Sequence, residues 1–223
     1  ALAANDIVTL QAGQRQMYAP CITLGAGTGL GQGVLLWCNG YYEALPTEGG
    51  HAGFAPSDEI QMELLRVLHA RIGRVSCERI LTGAGLVSIY RFLRERGEYP
   101  ESQKLAAMRG DADAAPAITQ AALVDKDPLA AQAVDLFLRI YGAHAGDVAL
   151  TVLATGGVYI AGGIAAKMIA AIQTGGFMQA FNDKGRMSPL TQAMPVHVVM
   201  NPRVGVMGAA LVAARLAKDP DRT

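Results

Sequence analysis

Gly25-Ala26-Gly27-Thr28-Gly29-Leu30-Gly31 follows the apolar run Cys21–Leu24 and precedes a second apolar run, Val34–Trp37. Four glycines in seven residues between two such runs dictate a tight turn joining two strands. Glycine tolerates φ > 0 and has no Cβ, so bare backbone N–H groups can face an anion there. Thr28 adds a hydroxyl donor. From the residues alone two readings stand: a hairpin that grips phosphate, or one of the many glycine-rich turns that bind nothing.

Strands dominate the first part of the chain and helices the rest. Asp6–Leu10 reads as a short strand, and Ile22–Leu24 and Val34–Trp37 as a pair. Asn39-Gly40 signals a two-residue hairpin into Tyr41–Leu45. A helix opens at Pro56-Ser57 with Ser57 as its cap, places Ile60, Leu64, Leu68 and Ile72 on one face, and stops at Gly73. Short helices are expected at Ser76–Leu81 and Leu86–Glu95, and an exposed connection from Gly97 to about Pro116. Asp127 or Pro128 opens a long helix to about Leu153. A buried strand Gly156–Ala161 turns through Gly162-Gly163 into a helix ending near Ile172. Gly176–Phe181 is a short helix, Pro195–Met200 a strand and Gly205–Ala217 a closing helix. Strands first and alternation afterwards is the pattern of an α/β fold with a mixed sheet.

Three further clusters carry polar chemistry. In Glu48-Gly49-Gly50-His51 the glycines allow a sharp bend that points a carboxylate and an imidazole into one pocket, a pairing suited to vicinal hydroxyls. An ordinary exposed loop is the alternative. Glu78 lies between apolar residues just before Thr82-Gly83-Ala84-Gly85-Leu86; alone it reads as a surface glutamate paired with Arg74 or Arg79. Thr155-Gly156-Gly157-Val158-Tyr159-Ile160-Ala161-Gly162-Gly163-Ile164 puts bare backbone at the end of a strand, where open α/β sheets bind nucleotides; close packing of a strand on a helix is the alternative.

Composition excludes other classes. Formal net charge is zero, with no lysine- or arginine-rich block to attract nucleic acid or an anionic membrane. The stretch from Leu129 to Ile172 is broken by Asp135, Arg139, His144 and Asp147, so no membrane span is expected. Cys21, Cys38 and Cys77 are three, widely spaced and set in apolar surroundings: buried thiols of a soluble cytoplasmic protein, with no metal site.

The order and wording of these clusters resemble the bacterial glucokinases, members of the sugar kinase/actin-like superfamily. The resemblance runs from about Asp6 to Leu216 and includes Gly25–Gly31, Glu48–Pro56, Ser76–Arg79 with Gly83–Leu86, Gly156–Ile164, Phe181–Arg186 and Gly205–Ala209. It implies an actin-like ATPase or ribonuclease H-like domain, a mixed sheet with helices on both faces, spanning 1–223 as one domain. It implies ATP-dependent phosphorylation of glucose to glucose 6-phosphate, the entry to glycolysis, with ATP and Mg²⁺ as cofactors. Gly25, Gly27, Thr28 and Gly29 would hold the ATP phosphates, and Gly156, Gly157, Gly162 and Gly163 would border the adenosine. Glu48, His51 and Glu78 would bind glucose hydroxyls. A homodimer is implied as well, for which the apolar helices at Leu129–Leu153 and Gly205–Leu216 are candidate contacts or, equally, core. The cysteine-rich zinc motif of the related repressor/kinase group is absent from this sequence.

One departure is as informative as the match. Family members begin with Asp-x-Gly-Gly-Thr and later present an Asn-Asp pair whose aspartate is the general base on the sugar 6-hydroxyl. This sequence contains no Asp-x-Gly-Gly-Thr. Its Asn5-Asp6 precedes a segment that resembles the one just upstream of the Gly25 hairpin, with no room for the helix that follows the catalytic pair, so Asp6 is not taken as the base. The chain therefore resembles the C-terminal lobe of such an enzyme without its N-terminal lobe, and by itself is expected to be inactive. Two other readings remain: a natural single-lobe protein that binds sugar or nucleotide without catalysis, and a plain α/β domain with no small-molecule site.

Overall fold

The computed structural model describes residues 3–107 and 114–217. Its sheet comprises β1 (Ile7–Gln11), β2 (Cys21–Ala26), β3 (Leu30–Cys38), β4 (Tyr41–Leu45), β5 (Gly157–Ala161) and β6 (Val196–Val199), in the order β1-β6-β5-β2-β3-β4. β2, β3 and β4 form an antiparallel meander, β5 and β6 add to it in parallel with β2, and β1 closes the far edge antiparallel to β6. Asn39 (φ 53°) and Gly40 (φ 86°) make the β3–β4 turn as the dipeptide demands.

Alternation along the strands defines one dry face. Ile22 and Leu24 of β2 stand in register with Val158 and Ile160 of β5, which in turn face Val196 and Val198 of β6, and these and Ala26 are fully buried. Helices α1 (Glu59–Ile72), α2 (Cys77–Ile80) and α3 (Gly83–Arg96) follow the meander, then α4 (Gln103–Ala106) and α5 (Ala114–Gln120). Of the expected exposed connection, residues 108–113 lie outside the described set; on either side of them Leu105 and Ile118 are buried.

The long helix α6 (Pro128–Val152) is the centre of the core. Asp127 caps it, accepting from the Ala130 amide at 2.8 Å, with Pro128 at its first position. Fourteen of its residues are buried, so it is core and leaves no broad face for a partner. Its Tyr141 hydroxyl donates to the Leu24 carbonyl of the sheet at 3.3 Å. Helices α7 (Gly163–Lys167), α8 (Ile169–Ile172), α9 (Gly176–Asn182), α10 (Ser188–Ala193) and α11 (Val204–Leu216) complete the order. Gly142 and Gly146, one turn apart on α6, let α9 approach backbone to backbone: a Cβ on them would meet the carbonyls of Phe177 and Phe181 at 2.0 and 2.4 Å.

Several expected boundaries shift, each for a tertiary reason. The cap of α1 is Asp58, not Ser57, and the Asp58 carboxylate also pairs with Arg139 of α6 at 2.6 Å. Ile72 is exposed at the end of that helix although Leu64 and Leu68 are buried. The helix expected through Ile172 breaks at Met168, which turns into the core. Cys21 and Cys77 are buried, whereas Cys38 is half-buried; burial pushes the Cys77 thiol up to about 11, with Asp147 adding to the effect.

His144 of α6 has a buried Nε2 without a partner. Burial is the main cause that holds its pKa below 6.5; Lys184 acts in the same direction and Asp147 against it. His197 on β6 is lowered too, by burial and by Arg15. The unfolded chain therefore takes up protons at a higher pH than the folded one, and stability falls as pH drops below the ordinary histidine value. The urea midpoint is expected to decrease between about pH 7.5 and about pH 5.5, and less steeply in His144→Leu. An identical slope in the variant counts against His144 as a source.

Candidate functional site

The glycine-rich stretch is mostly strand. Gly25 pairs with Gly31 and Ala26 with Leu30, leaving Gly27-Thr28-Gly29 as the turn. None of these glycines adopts a left-handed φ, so conformational freedom is not why they are there. Open space is: a Cβ on Gly25 or Gly27 would meet nothing within 4 Å. The turn is braced from within, since the Gly27 amide donates to the Gly29 carbonyl at 2.9 Å. Thr28 stands exposed at the tip.

The Glu48 cluster folds back against the base of this hairpin. Gly50 is buried, with room for no Cβ because the Leu30 carbonyl would lie 2.3 Å from it. Gly49 packs on the Gln32 amide in the same way. The resulting one-turn helix Gly49–His51 turns His51 toward two carboxylates at once. Its Nε2 lies 3.7 Å from Glu48 Oε2 and its Nδ1 lies 3.8 Å from Glu78 Oε1. Arg74 secures the arrangement from behind, donating to the His51 carbonyl at 2.8 Å. The Cys77 amide donates to the Ala52 carbonyl at 2.9 Å, which joins the loop to α2.

Glu78 is placed by α2, whose cap is Ser76. Its Oε2 accepts the Leu30 amide, at the foot of the turn, at 3.1 Å. Five residues on, the Gly83 amide donates to the Gly27 carbonyl at 3.2 Å. The segment from Glu78 to Gly83 thus holds both ends of Gly27-Thr28-Gly29. A cavity of about 550 Å³ opens alongside, lined by Thr28, His51, Arg74, Ser76, Glu78 and Arg79 among others. Glu78 is one-third exposed within it, whereas Glu48, almost fully exposed, is not among the residues that line it, so of the expected Glu48 and His51 pair only His51 faces the cavity.

The two glycine pairs around β5 part company. β5 runs parallel to β2 with Cys21 opposite Gly157 and Gly25 opposite Ala161, so Gly162 and Gly163 emerge beside the turn. A Cβ on Gly162 (φ 88°) would meet the Ala26 carbonyl at 2.5 Å, while Gly163 faces open space. Gly156 and Gly157 sit at the opposite end of the strand, about 16 Å away for five residues. Gly156 is packed against Ala19, Pro20 and Cys21, at the entry to the neighbouring strand β2 and not against a helix.

Asp6 is remote as well. Its carboxylate accepts from the Ala3 amide at 2.7 Å and the Asn201 side chain at 3.0 Å. It leads into β1, three strands from β2, which is about 14 Å of lateral separation. Lys184, within Phe181–Arg186, has its side chain almost fully buried and pairs with Asp147 at 2.9 Å, a tie between α6 and the turn that follows α9.

Reading the sequence missed three contributors: the Leu30 amide, Arg74 and Gly83. Gly83 carried a signal, being inside a glycine-rich stretch, and Arg74 was read only as a partner for Glu78, whereas it bonds the His51 carbonyl; the Leu30 amide carried none. Among the described residues, no group of three His, Cys, Asp or Glu side chains could hold a metal ion. No described helix is long and apolar enough to cross a membrane.

Comparison with known proteins follows the same lines. A family model described as Glucokinase matches residues 1–216. A glucokinase of Trichormus variabilis is 46% identical, over 96% of this chain and 67% of its own length. A crystal structure of glucokinase from an Antarctic psychrotroph superposes with TM-score 0.80 at 28% identity, covering 94% of this chain and 62% of that one. A ROK family glucokinase from Streptomyces griseus, solved with glucose and AMPPNP, shares the fold at TM-score 0.57 and 19% identity, over 88% of this chain and 61% of that one. The chain thus spans about two thirds of the length of the curated relatives it matches.

Proposed function

This chain belongs to the glucokinase family, and from that premise we propose that it is the C-terminal lobe of an enzyme that phosphorylates glucose from ATP. The observation that carries the reading is the position of His51 between Glu48 and Glu78, 3.7 and 3.8 Å from their carboxylates, with Glu78 bonded to the foot of the phosphate turn. Carboxylates only accept hydrogen bonds and imidazole does either, so the three can grip neighbouring hydroxyls of one sugar ring. Thr28 and the backbone of Gly25, Gly27 and Gly29 face the phosphates. The Gly27 amide must leave or share its bond to Gly29 to do so. Gly162 and Gly163, beside the turn, border the adenosine; Gly156 and Gly157 are too far away and serve packing.

The base that takes the proton from the sugar 6-hydroxyl lies outside this chain. Mg²⁺ accompanies the nucleotide, and what this chain offers the metal is the placement of the phosphates. The exposed apolar residues of α11, Val206, Met207, Leu211 and Val212, support a further lobe packed there. Arg215 pins the far end of that helix, donating to the Tyr42 carbonyl at 3.2 Å and lying 4.4 Å above the Tyr41 ring. A homodimer would draw on surfaces other than α6. The three free thiols suit a reducing cytoplasm.

Glu48→Ala and Glu78→Ala in the full-length protein are expected to raise KM for glucose by about 10- to 100-fold each, the loss of a hydrogen bond to a charged group. Steady-state kinetics over a wide glucose range measures this. Unchanged KM in both variants rejects the sugar assignment.

A further inference from the structure

Glu78 spends its two carboxylate oxygens on two different parts of the cleft. Oε1 faces His51 at 3.8 Å and Oε2 accepts the Leu30 amide at 3.1 Å. The carboxylate also lies close against the turn at Gly29, where a Cβ would stand 3.0 Å from Oε2. The turn has only one other tie outside its own hairpin among the described backbone bonds, from Gly83 to Gly27 at 3.2 Å, and it comes from the same segment. Glu48 has no such reach, with its side chain in solvent and His51 as its neighbour.

We infer that Glu78, beyond binding sugar, is a positioning residue for the phosphate turn, and that sugar and nucleotide bind cooperatively through it; this rests on the reading of the site given above. A sugar hydroxyl that donates to Oε1 restricts the carboxylate to one rotamer. The same restriction keeps Oε2 on the Leu30 amide and the turn in its braced shape. A nucleotide arriving second then has less of the turn left to order, which is positive cooperativity without a large movement. The carboxylate charge also opposes nearby phosphates, so deleting the side chain has two effects of opposite sign. Comparing two neutral substitutions cancels the charge and isolates the hydrogen bond: glutamine keeps an acceptor oxygen and alanine does not.

The test titrates the full-length protein with Mg²⁺ and a non-hydrolysable ATP analogue in the absence of sugar. Glu78→Ala is expected to bind it about 3- to 10-fold more weakly than Glu78→Gln, the worth of one hydrogen bond, while Glu48→Ala matches the wild type. Equal affinities of the two Glu78 variants, within about two-fold, overturn the inference, as does an Ala-versus-Gln difference at residue 48 as large as the one at residue 78. Gly29→Ala tests the same contact from the other side and does not depend on Glu78 variants folding. Its methyl stands 3.0 Å from Oε2 and shifts the carboxylate by a few tenths of an ångström, and KM for glucose is expected to rise about 3- to 10-fold although residue 29 is not a sugar ligand. An unchanged KM there overturns the inference too. A failed sugar assignment looks different, because Glu48→Ala and Glu78→Ala then leave glucose KM unaltered whatever happens to the nucleotide.

Discussion

Gly142→Ala is expected to lower the stability of the protein by about 3 kcal/mol, at the upper end for overpacking, and its melting temperature by about 6–12 °C. Intrinsic helix propensity argues for the opposite, since alanine in a helix interior is better than glycine by about 1 kcal/mol. The contact between helices decides the sign. A methyl at Gly142 meets the Phe177 carbonyl at 2.0 Å, and that carbonyl is backbone, which no side-chain rotation can move aside. Helix α9 must therefore retreat from α6 by more than an ångström, loosening the Tyr141–Phe177 ring contact at 5.6 Å and the ring of Phe181 beyond it. Gly208→Ala in α11 is the matched comparison. It lies in a helix with nothing within 4 Å of its would-be Cβ, and is expected to leave stability unchanged or raise it. Thermal unfolding of both variants measures the difference. If Gly142→Ala melts with or above the wild type, α6 and α9 are not in backbone contact.

The 223-residue chain by itself is expected to phosphorylate glucose at least about 10⁴-fold more slowly than the full-length protein. Positioned general bases contribute about 10²–10⁴-fold, and orientation of the reacting groups contributes further. This sequence has no Asp-x-Gly-Gly-Thr, and its Asn5-Asp6 is spent elsewhere. The Asp6 carboxylate ties Ala3 to Asn201 at the β1 edge, three strands from the turn. ADP release from MgATP and glucose, measured for the chain beside its full-length parent, gives the ratio. Turnover within about ten-fold of the parent places a base inside this chain, and Asp6 becomes the first residue to replace. Binding of glucose by a parent that never turns over favours instead a non-catalytic sugar sensor.

Much of this was legible in the residues because it depends on local periodicity and local backbone preference. Short apolar runs gave the buried strands, Asn39-Gly40 the β3–β4 turn, and Asp127-Pro128 the start of α6; each acts over a few neighbours and needs no partner from elsewhere. The ordered motifs were legible too, and the family follows from them. What no local pattern encodes is which distant groups meet. Asp58, which caps α1 where Ser57 was expected, also meets Arg139, 81 residues away. The flanking glycines of β5 look alike in sequence, yet the parallel register of β5 with β2 sends one pair to the turn and the other to the far end of the sheet. Glu78, unremarkable among surface glutamates, became the hinge of the site only when α2 was laid against the hairpin and its carboxylate reached the Leu30 amide, 48 residues away in the chain. Periodicity and turn chemistry are properties of neighbours and determined the elements. The site is made of contacts across long loops, and only close packing in three dimensions decided which of them form.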